Sequence, residues 1–403
     1  MCVHHGFIFY GFIRYGFTLF CSFLPQTPVF MQRTALIMAG GSGERFWPLS
    51  RRTKPKQLLK LVSPDKTMLD EAIERISPLI APNDVFIITS EALQPIMREN
   101  LTMLPPENII AEPLKRNTAP CIALSAAYIA ERYPQFSLND ISIAVLTADH
   151  FIEDAERFRA SVDAALSHAE QTGDIVTFGV QPSRPATGYG YIEISRGKHS
   201  SGLQAIPVES FHEKPSVQTA QEFLHQGRFF WNSGMFFWRL DTIISGLEHH
   251  LPEVGWKIKD LRGVLAGTTQ TVSIGAPSGT SDIFQAMPDI SIDYGLMERA
   301  QHVAVVRVDF GWDDVGSWDA LERVYEPDEA GNINVGGSLL MDSKNCIVMN
   351  SVGDDTLSVA AIGIENLVIV ATRDGILVCP KDRVQDVRKV VTALREQSGE
   401  KFV

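Results

Sequence analysis

From residue 34 onwards, the sequence alternates between short apolar runs rich in Val, Ile and Phe and longer stretches with a helical pattern. Strands that alternate with helices predict an α/β fold in which a mainly parallel sheet is covered by helices on both faces. Ligands of such sheets bind beyond the carboxyl ends of the strands, so we search the loops that follow strands. The predicted strands are residues 34–39, 84–90, 107–112, 141–149, 174–180, 233–239 and 303–309.

Two helices between these strands have recognisable ends. Residues 119–132 follow Thr118, which we predict to be the N-cap. Residues 153–172 end before Gly173, and glycine is a common stop at the C-terminus of a helix.

The pattern divides the chain into three parts. Residues 31–330 carry the α/β alternation, whereas residues 331–403 have short β-branched runs separated by Gly, Asn and Asp, which predict a small β-rich domain that ends in a helix at 383–396. Residues 1–30 are rich in Phe and Tyr but too short and interrupted for a membrane span, and they lack the features of a signal peptide. We interpret them as a mis-called upstream start; a genuine N-terminal anchor is the alternative.

The net charge of the chain restricts the partners that it can bind, and its cysteines indicate the cellular compartment in which it works. The net charge of −12 argues against a general nucleic-acid binder, although a local basic cluster can still hold a small polyanion. Residues 44–60 form such a cluster, with six Lys or Arg residues against the single acid Glu44. The five cysteines are far apart and odd in number, which is typical of reduced thiols in a cytoplasmic protein.

A glycine-rich turn follows the first predicted strand and opens this basic cluster. Gly40, Gly41 and Gly43 match neither the dinucleotide fingerprint nor the P-loop. Glycines nevertheless allow successive backbone N–H groups to surround phosphate oxygens. Arg45 and Lys56 could then neutralise a triphosphate. The alternative is a plain turn followed by a solvated basic surface.

Acidic residues follow two other predicted strands. Asp149, in "TADH", lies where a carboxylate could bind Mg²⁺, or it could be the N-cap of a helix that starts at Phe151. Asp313 or Asp314, in "DFGWDDVGSW", could reach the same ion, or both could be solvated acids of a tight turn. We expect His150 to be a structural hydrogen-bonding residue rather than a metal ligand.

Three aromatic-rich segments predict a wall that binds a sugar phosphate. They are "GYGYIE" (188–193), "FHEKP" (211–215) and "FFWNSGMFFW" (229–238). Glu193, Asn232 and Ser233 offer polar groups to hydroxyls, and Lys214 offers a positive charge to a phosphate. Each segment could instead be a hairpin or a core strand.

Together with "EPLKRNTAPCIAL" (112–124) and "SIDYGLMER" (291–299), these motifs closely resemble those of the bacterial mannose-1-phosphate guanylyltransferases, in the sugar-nucleotidyltransferase family. The resemblance runs from about residue 33 to the end. It implies a Rossmann-like nucleotide-diphospho-sugar transferase core with a small C-terminal β-helix-like domain. It also implies that GTP and mannose 1-phosphate react to give GDP-mannose and pyrophosphate, with Mg²⁺ as cofactor.

The resemblance also implies roles for individual residues. Three residues beside the positions with implied roles depart from the family pattern, namely Thr147, Glu44 and Asp313. Of the two adjacent acids, we expect Asp314 rather than Asp313 to bind the metal. The implied catalytic residues are Arg45, Lys56, Asp149 and Asp314, of which the two acids hold Mg²⁺. The implied nucleotide-binding residues are Gly40, Gly41, Gly43, Arg45, Lys56, Asn117 and Thr118, and those for the sugar phosphate are Gly190, Glu193, Lys214, Asn232 and Ser233.

The expected reaction is a single in-line displacement without a covalent intermediate, because the attacking phosphate oxygen is already ionised at neutral pH. Two alternatives are a pyrophosphorylase for another sugar 1-phosphate and nucleotide, and a silent regulatory subunit that binds sugar nucleotide. We expect a cytoplasmic homodimer with no membrane span and no nucleic-acid partner. No cupin-type domain is present up to Val403, so we expect no isomerase activity.

Overall fold

The computed structural model describes residues 31–195, 202–269, 275–353 and 355–403, and residues 31–403 form one compact unit. The predictions for residues 1–30 lie outside the described residues. Among the described residues, no helix is long and apolar enough to cross a membrane. Cys121, Cys346 and Cys379 are free thiols, as expected.

The strands begin and end close to the predicted positions. Those of the larger region are β1 (Gln32–Met38), β2 (Val85–Ser90), β3 (Ile109–Glu112), β4 (Ile141–Thr147), β5 (Phe151–Ile152), β6 (Ile175–Val180), β7 (Tyr191–Ile194), β8 (Ala205–His212), β9 (Phe229–Arg239), β10 (Val303–Val308) and β11 (Trp312–Asp313). All but β5 and β11 belong to a nine-stranded sheet in the order β3-β2-β1-β4-β9-β6-β10-β8-β7.

The two halves of this sheet differ. Strands β3, β2, β1 and β4 are parallel, as the alternation with helices predicts. In the other half only β6 and β10 are parallel, because β9 runs antiparallel to β4, β6 and β7, and β8 runs antiparallel to its neighbours. The sheet is therefore parallel on the side of the glycine-rich turn and mixed on the side of the predicted sugar wall.

Helices cover both faces of the sheet, as predicted. The helices are α1 (Met68–Ile76), α2 (Gln94–Asn100), α3 (Thr118–Arg132), α4 (Ala155–Thr172), α5 (Val217–Gln226), α6 (Leu240–His250), α7 (Pro252–Gly255), α8 (Lys257–Leu265) and α9 (Thr280–Gln285). Leu36 of β1 faces a core with α3, α6 and α8, whereas its neighbours Ala35 and Ile37 face a core with α1, α2 and α4. This alternation follows from the two-residue period of a strand.

Two helix starts differ from prediction. The N-cap of α3 is Asn117, whose side chain accepts a hydrogen bond from the Thr118 N–H, so Thr118 is the first helical residue instead of the cap. The N-cap of α4 is Asp154, which accepts hydrogen bonds from two backbone N–H groups. Asp149 is therefore not a helix cap, and its carboxylate is available for another role. Gly173 ends α4 in the left-handed conformation, as predicted.

The C-terminal region is built from short parallel strands. Strands β12 (Ile333–Val335), β14 (Ile347–Asn350) and β16 (Leu367–Ala371) pair in parallel, β13 (Leu339–Met341) pairs in parallel with β15 (Ala360–Ile362), and β17 (Ile376–Pro380) is antiparallel to β16. The terminal helix α10 spans Val387–Ser398, and a 3₁₀ turn at Lys381–Asp386 precedes it. The predicted helix at 383–396 therefore begins as a 3₁₀ turn.

One hydrophobic core joins this C-terminal region to the segments that follow the glycine-rich turn. Phe46, Trp47 and Trp318 pack in the same core as Ile347 of β14 and Val387 of α10. In addition, the indole N–H of Trp47 donates a hydrogen bond of 2.7 Å to the carbonyl of Phe402. The C-terminal region thus supports the loops that carry the predicted basic and acidic residues.

Candidate active site

The glycine-rich turn requires glycine at one defined position. Gly43 has φ of +63°, and a Cβ there would lie 2.4 Å from the Cβ of Lys56. A side chain would therefore both strain the backbone and collide with Lys56. Gly40 and Gly41 are exposed.

Lys56 connects this turn to the two segments that carry the acids. Its Nζ donates to Oδ2 of Asp149 at 2.9 Å, to the main-chain oxygen of Asp149 at 2.8 Å and to the main-chain oxygen of Asp314 at 2.7 Å. The Lys56 side chain is only 7% exposed. The neighbouring Gln57 fixes this segment, because its amide donates to the carbonyl of Ala39 at the end of β1.

A small two-stranded sheet brings the two acidic segments together. Strand β5 pairs with β11, with Ile152 opposite Trp312 and Phe151 opposite Asp313. Asp149 comes just before β5 and Asp314 directly after β11, so this pairing brings two acids that are 165 positions apart (314 − 149) to the same lysine.

The carboxylate of Asp149 is held in its charged form. Burial favours the neutral acid, but the charge and hydrogen bond of Lys56, together with His150 and a backbone hydrogen bond, lower the pKa of Asp149 below its ordinary value. The side chain remains 36% exposed. His150 accepts a hydrogen bond of 3.1 Å from the indole N–H of Trp312, which fits the predicted structural role.

The structure assigns different environments to the two neighbouring acids of "DFGWDDVGSW". Asp313 is buried, pairs with Arg323 and accepts a hydrogen bond from the Val315 N–H, so its oxygens are engaged within its own loop. Asp314 instead lines a cavity, where its Oδ1 accepts a hydrogen bond of 2.7 Å from the hydroxyl of Tyr189. Of the two, only Asp314 faces the site.

Asp149 and Asp314 are chemically suited to a divalent cation. Asp314 keeps one carboxylate oxygen that makes no hydrogen bond within the described parts of the chain, and the Asp149 side chain is partly exposed. Mg²⁺ takes oxygen ligands and is commonly bound by one or two carboxylates together with substrate phosphates. The donor set therefore fits the predicted ion.

Arg45 is a half-buried cation with unused hydrogen-bonding capacity. Its guanidinium donates to the carbonyl of Gly316, but its Nε is buried and has no hydrogen-bond partner among the described residues. Burial also lowers the pKa of Arg45 below its ordinary value. Such a group, close to the glycine-rich turn, is suited to an anionic ligand.

A cavity of about 260 Å³ extends from Asp314 towards the predicted sugar wall. Four of the five predicted sugar-phosphate residues line it, and Glu193 does not. The four are Gly190, Lys214, Asn232 and Ser233. Thr118 also lines the cavity, and its hydroxyl accepts a hydrogen bond from the Ile292 N–H. Asn117 is exposed at the start of α3, close to this opening.

The position of Glu193 corrects the prediction. Its carboxylate pairs with Arg228 and accepts a hydrogen bond from Ser210, so it is used within the outer part of the sheet. Glu193 lies within β7, whereas Gly190 directly precedes that strand. Glu213 lies near Gly190 instead, since a Cβ at Gly190 would lie 2.6 Å from its Oε2.

Three acidic residues of the site were missed in the sequence. Glu213 pairs with Lys214 at 2.8 Å, and Asp293 accepts a hydrogen bond of 3.1 Å from the amide of Asn232. Burial, with the nearby charge of Glu213, raises the pKa of Asp293 to about 6. Both residues are inside quoted motifs, but the motif alone does not reveal which side chains face the cavity.

The third missed residue is Glu112, at the carboxyl end of β3. Its carboxylate lies close to the glycine-rich turn, 3.8 Å from the position of a Cβ at Gly40. It makes no hydrogen bond to another described residue, and burial raises its pKa to about 7. Its place as the last residue of a predicted strand was the signal that could have revealed it.

Comparison with known families agrees with this architecture. The family described as "Nucleotidyl transferase" matches residues 34–330, and the "MannoseP isomerase/GMP-like beta-helix domain" matches residues 336–394. The chain belongs to the nucleotidyl transferase family. The predicted fold class and the assignment as a nucleotidyltransferase are thereby confirmed.

Relatives within the nucleotidyl transferase family support the predicted resemblance. The chain is 38% identical over 369 residues to "Mannose-1-phosphate guanylyltransferase" of Klebsiella pneumoniae, which covers 91% of this chain and 75% of the relative. It is 38% identical to "Xanthan biosynthesis protein XanB" of Xanthomonas campestris pv. campestris (strain B100), with 89% and 73% covered. A crystal structure described as a mannose-1-phosphate geranyltransferase from Thermus thermophilus has 35% identity and a TM-score of 0.78, and covers 91% of this chain and 100% of that one.

Proposed function

We propose that this nucleotidyltransferase transfers GMP from GTP to mannose 1-phosphate and releases pyrophosphate, as the names of its relatives suggest. The observation that carries the proposal is the meeting of Lys56 with Asp149 and Asp314 between the glycine-rich turn and the cavity. That arrangement offers positive charge and metal-binding oxygens where a triphosphate and a sugar phosphate would come together.

The chemical obstacle is repulsion between two polyanions, and the residues of the site address it. The phosphate oxygen of the sugar phosphate attacks the α-phosphorus without a general base because it is already ionised. Arg45 and the glycine-rich turn would hold the triphosphate, and Lys214 would hold the sugar phosphate in line with it. Mg²⁺ held by Asp149 and Asp314 would neutralise charge on the phosphate oxygens.

Lys56 has two roles in this proposal. Its three hydrogen bonds fix the segments of Asp149 and Asp314 relative to each other. Its charge also keeps Asp149 ionised, and an ionised carboxylate is the form that binds a cation.

Glu112 is suited to the selection of guanine. Guanine presents two adjacent N–H donors on one edge, and a carboxylate has two acceptor oxygens that match them. Adenine has an acceptor in place of the central donor, and uracil has one donor between two carbonyls. The carboxylate of Glu112, which lacks a hydrogen-bond donor among the described residues, would therefore favour GTP.

The test is release of pyrophosphate by the purified chain with GTP, UTP, ATP or dTTP and with mannose 1-phosphate or glucose 1-phosphate. Turnover should be highest with GTP and mannose 1-phosphate and should stop when EDTA removes Mg²⁺. A preference for UTP with glucose 1-phosphate would overturn the substrate assignment, and no turnover with any pair would favour a regulatory subunit. GDP-mannose as a precursor of polysaccharide, a cytoplasmic location and a homodimer stay predictions.

A further inference from the structure

A chain of hydrogen bonds connects the predicted sugar wall to Asp314. The hydroxyl of Tyr189 donates to Oδ1 of Asp314 at 2.7 Å and accepts from the guanidinium of Arg184 at 3.0 Å. A guanidinium can only donate, so the Tyr189 hydroxyl accepts from Arg184 and its own hydrogen is available to Asp314. Tyr189 directly precedes Gly190, which lines the cavity.

Aromatic packing holds the Tyr189 ring in place. Its ring centroid lies 5.1 Å from that of Trp231 and 5.4 Å from that of Trp312, both in edge-to-face geometry. The guanidinium carbon of Arg184 lies 5.1 Å from the centroid of the Trp231 ring. Such contacts add to the burial of the rings and restrict their rotation.

The Tyr189 hydroxyl contacts one carboxylate oxygen of Asp314, Oδ1. The other oxygen of Asp314, Oδ2, makes no hydrogen bond within the described residues.

We propose that Tyr189 is a positioning residue for the metal site: its hydroxyl fixes Oδ1 of Asp314 and leaves Oδ2 directed to the cation. This inference rests on the proposed function, because it requires a divalent ion at Asp149 and Asp314. Partners that orient metal-binding carboxylates typically contribute about 10- to 100-fold to metal affinity. A free Asp314 side chain would have to lose rotational freedom when the ion binds, and Tyr189 removes that cost beforehand.

The chain provides a matched control in the same motif. Tyr191 also carries a buried ring, but its hydroxyl donates to the carbonyl of Ala186 and not to Asp314. Tyr189→Phe and Tyr191→Phe each remove one hydroxyl and keep the ring. Only the first removes a contact with the predicted metal ligand.

The experiment measures Mn²⁺ binding to the full chain, by the loss of the electron paramagnetic resonance signal of free Mn²⁺. We expect the dissociation constant of Tyr189→Phe to rise about 10- to 100-fold, and that of Tyr191→Phe to stay at the wild-type value. Turnover of Tyr189→Phe should recover to near the wild-type kcat at saturating metal, because the hydroxyl acts only through Asp314. The unfolding temperature confirms that both variants fold, and Arg184→Met provides a second variant, with a smaller rise expected.

Each other outcome has a defined meaning. If the wild-type chain binds Mn²⁺ and Tyr189→Phe binds it equally well, the positioning role is wrong while the proposed function stands. If Tyr189→Phe has a low kcat even at saturating metal, the residue acts on substrate directly and the positioning role is again wrong. If the wild-type chain binds no Mn²⁺, or Asp314→Asn binds it as tightly, the metal site itself fails, and the proposed function loses its basis.

Discussion

The Nζ of Lys56 lies 2.9 Å from Oδ2 of Asp149 and 2.8 Å from the main-chain oxygen of the same residue. A single lysine thus neutralises an acid of the site and fixes the backbone that carries it. Because the third hydrogen bond of Lys56 goes to Asp314, the geometry of both acids depends on this one side chain.

Replacing Lys56 should therefore affect both catalysis and stability. Lys56→Met leaves three acceptors without their donor, which should lower the free energy of unfolding by about 1–3 kcal/mol. Loss of the charge should reduce the rate of pyrophosphate release about 10²- to 10³-fold. Lys60→Met, which removes an exposed cation of the same basic cluster, is the control and should change neither quantity. Near-normal turnover of Lys56→Met would contradict the role given to Lys56.

Gly43 and Gly41 of the turn should differ in their contributions to the free energy of unfolding and to GTP binding. Gly43→Ala places a side chain at positive φ and against the Cβ of Lys56, so the free energy of unfolding should fall by about 1–3 kcal/mol. Gly41→Ala meets no atom within 4 Å and should leave stability unchanged. If Gly41 lies against the triphosphate, its substitution should still raise the KM for GTP. Thermal unfolding and steady-state kinetics separate the two effects, and equal unfolding temperatures would refute the steric argument.

Asp293 should make stability depend on pH in a direction opposite to that of most acids. Its pKa is raised to about 6 by burial and by Glu213, from an ordinary value of 3.8. Between these values the folded chain binds more protons than the unfolded chain, so the free energy of unfolding decreases as pH rises from about 4 to 6 and is level above that. Asp293 should contribute a decrease on the order of 1–3 kcal/mol.

Chemical denaturation across this pH range provides the measurement. Asp293→Asn cannot ionise, so its stability should fall less steeply than that of the wild-type chain between pH 4 and 6. Asp289→Asn removes an exposed carboxyl group a few residues away and is the control. Parallel pH profiles for Asp293→Asn and the wild-type chain would show that Asp293 is not the cause.

The choice of nucleotide should depend on Glu112. Glu112→Gln replaces one acceptor oxygen by an NH₂ group, which would face a donor of guanine. The ratio of kcat/KM for GTP to that for UTP should fall about 10- to 100-fold, in line with the strength of hydrogen bonds to charged groups. Glu99→Gln, on the exposed surface of α2, should keep the ratio unchanged.

A pH series adds an independent check on Glu112. Since its pKa is about 7, the carboxyl group becomes protonated below that pH and loses acceptor capacity. The KM for GTP should therefore rise as pH falls below 7 in the wild-type chain and stay flatter in Glu112→Gln. An unchanged nucleotide preference in this variant would exclude Glu112 from recognition of the base.

Periodicity and strand ends predicted much of this molecule. The four parallel strands, the position of Asp149 after β4 and the end of α4 at Gly173 all follow from local rules. The N-cap of α3 was placed one residue late because Asn and Thr are both good caps and stand side by side. Such errors are small and leave the site where it was expected.

The orientation of side chains within motifs could not be predicted. Glu193 and Glu213 are in neighbouring motifs, and the pleat of β7 together with the ion pair to Arg228 decides which one reaches the cavity. Asp313 pairs with Arg323, ten residues later, whereas Asp314 accepts a hydrogen bond from Tyr189, 125 residues earlier. Both distinctions depend on tertiary contacts, which a local pattern does not contain.

The hydrogen bond from Trp47 to Phe402 and the surrounding hydrophobic core limit where the chain can be divided into stable fragments. A fragment cut near residue 330 would expose Phe46 and Trp318, which flank the basic segment and the acidic loop, to water. The two family matches are thus separate in the sequence, but the residues of both regions share one hydrophobic core. The C-terminal strands could be exchanged for another scaffold only if the replacement offered the same apolar support to the basic segment and the acidic loop.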